Sequence, residues 1–195
     1  SALMIYPLVV FFIVFAKDTV VLLYSEKYSI SSQYFQINMV LNFFNIIVFA
    51  PLIFSMGKTK LYSNVHIGLA ITIWVVDYLL ILIFNNPIAI AISSTTLNVL
   101  KIIFFIYLVA RILKLNFFSF FPIFNLLKYL GHSLIVIFCV KIIFNYIITI
   151  ESLIINFITS FTLFALLLLV SSPIFKINYL EIIEPIFNKT KKTIK

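Results

Sequence analysis

The chain has 195 residues, of which 64% are hydrophobic and only 10% charged, with a net charge of +8 and a mean hydropathy of +1.21. A soluble domain carries about 25% charged residues, so this composition points to an integral membrane protein whose apolar runs are long enough to span. Those runs are continuous and do not alternate, which argues against a β-barrel.

Taken in order, the expected elements are six transmembrane helices in an all-α bundle. The first covers 2–24, an apolar run through Ala16 that meets the membrane surface near Lys17-Asp18. Tyr24–Tyr28 is a polar turn. The second span, 33–56, places Ser31, Tyr34, Asn38, Asn42 and Asn45 three or four apart, on one helical face. Pro51 is expected to kink it. After Gly57-Lys58-Thr59-Lys60 comes the third span, 62–84, carrying His66 and the acid Asp77. Asn85-Asn86 is a tight turn, and Pro87 suits the first position of the fourth span, 87–112. Ser94, Asn98 and Lys101 share a face of that span. Leu115–Leu127 is too short to cross and too apolar for a free loop, so it reads as an interfacial segment. The fifth span is 129–150, with Lys141 and Asn145 aligned, and Glu151 marks the following turn. The sixth is 152–175, with Asn156 and Ser160 aligned. Residues 1–180 thus form the membrane region, and 181–195 form a basic tail.

Basic residues fall on alternate loops: Lys58 and Lys60, then Arg111, Lys114 and Lys128, then Lys189, Lys191, Lys192 and Lys195 of the tail. The opposite loops are mixed, uncharged or acidic. By the positive-inside rule both termini are cytoplasmic. The basic tail suits a membrane surface, and no nucleic-acid partner is expected. The chain opens on Ser1, and no basic segment precedes the apolar run Ala2–Ala16, so no signal peptide is expected. It reads as part of a longer protein.

A charge in hydrocarbon costs about 2.5–3.5 kcal/mol on the insertion scale, so such groups usually face a cavity or partner. At 1.5 Å rise per residue, Lys101 lies about 21 Å from the outer face, Lys141 about 18 Å and Asp77 about 23 Å from the inner face. The two lysines are central and Asp77 lies outside them. Lys141 is therefore a better partner for Asp77 than Lys101. The candidate cavity residues are Asp77, Lys101, Lys141, Asn38, Asn42, Asn45, Ser94 and Asn98. A cationic cavity suits an anionic head group or a sugar, whereas Asn and Ser at helical spacing also serve as plain interhelical hydrogen bonds. His66 and His132 read as interfacial, and Cys139 as a small buried hydrophobe. No metal-ligand spacing, nucleophile elbow or phosphate loop occurs, so no enzyme activity, metal or cofactor is expected.

The run Phe15-Ala16-Lys17-Asp18-Thr19-Val20-Val21-Leu22-Leu23-Tyr24-Ser25-Glu26-Lys27-Tyr28, followed by Ser31-Ser32, carries a resemblance. So do Pro51, Gly57-Lys58-Thr59-Lys60, and Asp77 before Tyr78-Leu79-Leu80-Ile81. Over 7–112 the chain resembles the Wzx-type O-antigen and capsule flippases of the multidrug/oligosaccharidyl-lipid/polysaccharide exporter superfamily. The resemblance implies a transporter in the cytoplasmic (inner) membrane. It would move an undecaprenyl-diphosphate-linked oligosaccharide between leaflets, among membrane lipids and polysaccharide assembly proteins. Family members have two helical lobes around a cavity; this chain would supply the C-terminal one. The alternatives are a drug or cation antiporter of the same superfamily with Asp77 as ion site, a membrane enzyme of envelope polysaccharide assembly, and a structural membrane subunit.

Overall fold

The computed structural model describes residues 2–46, 49–146 and 152–179. Among these residues the structure is helical, with no strand. The helices are α1 (Ala2–Val14), α2 (Ala16–Tyr24), α3 (Ser31–Met39), α4 (Phe49–Ser55), α5 (Thr59–Phe84), α6 (Pro87–Ile112), α7 (Phe117–Phe120), α8 (Ile123–Tyr146) and α9 (Leu153–Ser171). Four of them, α5, α6, α8 and α9, are long and apolar enough to cross a membrane, and α1 with α2 would make a fifth span if the bent pair is counted as one. The chain is a membrane-embedded helical protein. It divides into two units: 1–14 with 124–195, and 15–123.

The 15–123 unit is organised on the α5–α6 hairpin. Its turn is two residues long, and each residue has a separate task. Asn85 closes α5 in the left-handed conformation (φ 46°), its N–H donating to the Ile81 carbonyl; Asn is among the few non-glycine residues that enter this region readily. Asn86 is extended and caps α6, its Oδ1 accepting from the Ile88 N–H at 2.9 Å. Pro87 follows at the first helical position, where its missing N–H leaves no bond unmade. Helices α3, α4 and α7 all pack against α6, and α2 packs on α3. The buried residues of α6, Ile102, Phe105, Ile106, Val109 and Ala110, repeat at helical spacing and fill its second half. The half containing Ser94 and Asn98 is only partly covered.

The expected continuous helix over 33–56 does not form. The α-helix stops at Met39 and a 3-10 turn covers Val40–Phe43; α4 then covers Phe49–Ser55, with Pro51 near its start, where proline is best tolerated. Asn38, Asn42 and Asn45 consequently do not form one stripe: Asn38 and Asn45 are exposed, while Asn42 is half-buried and donates to the Met39 sulfur. The first span is likewise interrupted, at Phe15, whose carbonyl accepts from both the backbone N–H and the hydroxyl of Thr19.

The other unit comprises α1, α8 and α9. Phe11 is fully buried and meets the rings of Phe157, Phe161 and Phe164 on α9 at 5.1–5.5 Å. Helix α8 begins at Ile123, six residues earlier than expected, and takes in the end of the segment read as interfacial. Helix α9 stops at Ser171, short of the expected 175; Ser172 keeps helical backbone angles (φ −54°, ψ −39°), and a turn over 172–176 follows. Residues 147–151, with Glu151, and the basic tail lie outside the described residues.

Three helical segments end alike. Gly57, Lys114 and Lys176 have φ of 68°, 55° and 51°. The following N–H reaches back five residues each time, Lys58 to the Ile53 carbonyl, Leu115 to Ala110 and Ile177 to Ser172. This Schellman closure favours glycine. A lysine there costs about 1–2 kcal/mol, offset in part by placing a cation against the negative helix end.

Candidate functional site on the α5–α6 hairpin

Ser94, Asn98 and Lys101 are spaced four and three apart, and the structure joins them into one ladder. Ser94 Oγ donates to the Ile90 carbonyl (2.5 Å), Asn98 Nδ2 to the Ser94 carbonyl (2.8 Å), and Lys101 Nζ to Asn98 Oδ1 (2.9 Å). The ladder fixes the amide of Asn98, because its NH2 is committed to a carbonyl and its oxygen must face the ammonium. An ammonium has three protons, and Asn98 takes one. Lys101 is half-buried just past the middle of α6, so its remaining donors lie deep in the helix and away from either end.

An aromatic group lies beyond this lysine on the hairpin. One turn further along α6, Phe105 is stacked by Tyr62 (5.1 Å) and by His66 (5.5 Å), and Tyr62 and His66 are themselves 4.4 Å apart. Phe54 of α4 closes edge-on against Tyr62 at 5.2 Å. The result is an ammonium hydrogen-bonded to Asn98, one helical turn from a phenyl ring on which an imidazole stacks. Such a set can hold an anionic group by charge-assisted hydrogen bonds and a ring by stacking.

Asp77 lies on the same hairpin, but not at the same level. The stacking of His66 on Phe105 sets the register and puts Asp77 near Ser94, seven residues beyond the level of Lys101. That separation is about 10 Å along the helix, too long for an ion pair, as the depth reading expects. Asp77 Oδ1 is buried and has no hydrogen-bond partner among the described residues. Ser94 cannot serve it, since the one hydroxyl proton of Ser94 is on Ile90. Lys141, proposed above as the partner of Asp77, belongs to the other unit. It is half-buried beside a cavity of about 540 Å³ lined by Val14, Leu134, Ile137, Phe138 and Cys139. Cys139 is exposed on that face and not buried as the apolar run suggested.

The unit of α1, α8 and α9 has its own polar cluster, and it is of a different kind. His132 is 0% exposed, where the sequence suggested an interfacial residue. Its Nε2 is 2.7 Å from Ser171 Oγ and its Nδ1 is 2.9 Å from Tyr179 Oη. Ser171 donates its only proton to the Leu167 carbonyl at 2.5 Å. It must therefore accept from His132, which puts the imidazole proton on Nε2 and leaves Nδ1 to accept from the tyrosine. Burial, and next the neighbouring Tyr129, push the Tyr179 hydroxyl up to about 12, so it stays a donor. Each of these protons has an acceptor, so the cluster fastens the segment after α9 to α8. Asn156 and Ser160 are aligned on α9 as expected, at a long 3.5 Å contact. Among the described residues no group of acids, histidines and cysteine could hold a metal.

Tyr62 and Phe105 were not singled out from the sequence, and His66 was read as interfacial. Counting outward equally from the Asn85-Asn86 turn places Phe105 opposite His66, so the signal was present. No protein-family model, no curated protein and no solved structure matches the chain.

Proposed function

We propose that this chain is part of a membrane transporter that moves a lipid-linked oligosaccharide across the cytoplasmic membrane. The observation that carries the reading is the Lys101 ammonium at mid-helix, oriented by Asn98, with His66 stacked on Phe105 one helical turn away. A diphosphate offers the negative charge such donors accept, and stacked rings suit the faces of a sugar. The resemblance over 7–112 supports the same substrate class. Counting α1 with α2, and α3 with α4, as interrupted spans gives six, with both termini on the basic, cytoplasmic side.

The test is export of surface polysaccharide by cells whose only copy of the protein carries Lys101→Met. Loss of a charge-assisted contact worth about 1.5–3 kcal/mol predicts a fall of roughly tenfold to a hundredfold, with partial recovery in Lys101→Arg. Unchanged export at equal protein level would remove the proposal.

A second reading rests on a separate observation, the orphan oxygen of Asp77. A half-buried carboxylate with one buried oxygen lacking a donor suits a proton or a monovalent cation, as a gradient-coupled antiporter requires. Asp77→Asn is then expected to abolish the dependence of transport on the proton or sodium gradient while sparing the amount of folded protein. Gradient dependence that survives the substitution rules this reading out.

A further inference from the structure

Beyond the end of α9, a cavity of about 480 Å³ opens between Leu169, Ser172, Pro173, Lys176, Ile177 and Tyr179. Its walls are mainly carbon, and no acidic side chain is among its described lining residues. The loop that forms it is held on three sides. His132 holds Tyr179, Ile177 N–H returns to the Ser172 carbonyl, and Lys128 Nζ donates to the Lys176 carbonyl at 3.0 Å. The last bond brings a second ammonium to the backbone of a lysine that lines the cavity. Lys176 itself occupies a left-handed position (φ 51°) that glycine fills more comfortably. The site therefore combines an apolar slot with one lining cation, Lys176, and a second, Lys128, fastened to the Lys176 carbonyl, near the end of a helix whose exposed flank is apolar (Leu166, Leu169 and Val170).

We propose that this cavity binds the head group of an anionic phospholipid, with the phosphate at Lys176 and Lys128 and the upper acyl chain along Leu169 and Ile177. Charge complementarity selects an anion, and the carbon walls select an amphiphile over free phosphate. Basic pockets at the ends of membrane helices are suited to such head groups. The proposal is independent of what the α5–α6 hairpin transports.

The experiment is thermal unfolding of the full-length protein purified in detergent, with added phosphatidylglycerol, phosphatidylcholine or inorganic phosphate. At a hundredfold excess over Kd, phosphatidylglycerol is expected to raise Tm by roughly 5–10 °C, with no comparable shift from the other two. Lys176→Gly relieves the left-handed backbone, so it should fold at least as well as the parent yet lose most of the phosphatidylglycerol shift; Lys176→Arg should keep it. Equal shifts from both lipids, a shift from phosphate alone, or a full shift in Lys176→Gly would each overturn the proposal. Native mass spectrometry of the parent gives a check that needs no variant: retained phosphatidylglycerol in preference to phosphatidylcholine supports the site, and no preference counts against it.

Discussion

The His132 cluster and the α5–α6 ladder are built from the same materials, histidine, serine, tyrosine and a lysine nearby, yet they differ in what is left over. Around His132 each donor has an acceptor: Tyr179 to Nδ1, Nε2 to Ser171, Ser171 to Leu167. On the hairpin the accounting stays open. Lys101 gives one proton to Asn98, and Asp77 Oδ1 receives none. Residue type therefore does not separate a fastening from a binding site in a membrane helix; the tally of protons and lone pairs does.

Substitutions can break this contrast from either side. The largest effect is expected from Lys101→Met, a tenfold or greater loss of export without matching loss of stability, read as surface polysaccharide per folded molecule. His132→Ala should do the reverse. It opens a cavity and strands Ser171 and Tyr179, so unfolding should become easier by about 2–4 kcal/mol, measured by denaturation in detergent, while export per folded molecule holds. If His132→Ala abolished export at normal stability, the two sites would have to exchange roles. The smallest effect is Tyr179→Phe, which deletes a single hydrogen bond and should cost about 0.5–1.5 kcal/mol.

Tyr179 also supplies a pH signature. Its folded-state value of about 12 stands above the ordinary 10.0, so the unfolded chain ionises first. Its contribution is complete below pH 10 and is lost as pH climbs to about 12. The parent should lose Tm across that interval, and Tyr179→Phe should lose less, in thermal melts run at matched ionic strength.

The parts of this molecule legible in the sequence are those specified by neighbours. Asn85, Asn86 and Pro87 carry the whole turn chemistry, so the limits of α5 and α6 could be read within a few residues. The Ser94–Asn98–Lys101 face could be read because its bonds run along one helix. The end of the α-helix at Met39 could not, since apolar residues continue past it with no local stop signal. His132 was misjudged for a related reason: Ser171 and Tyr179 lie some forty residues away, and nothing local marks them as partners. Asp77 and Lys141 fall in different units, so their pairing depends on an arrangement that helical periodicity cannot encode.

The two-residue turn at Asn85-Asn86 has a mechanical consequence. With one residue closing α5 and the next capping α6, no slack remains for one helix to slide past the other. The seven-residue offset between Asp77 and Lys101 then behaves as a rigid ruler. Any group held at one mark therefore keeps a constant distance from any group held at the other.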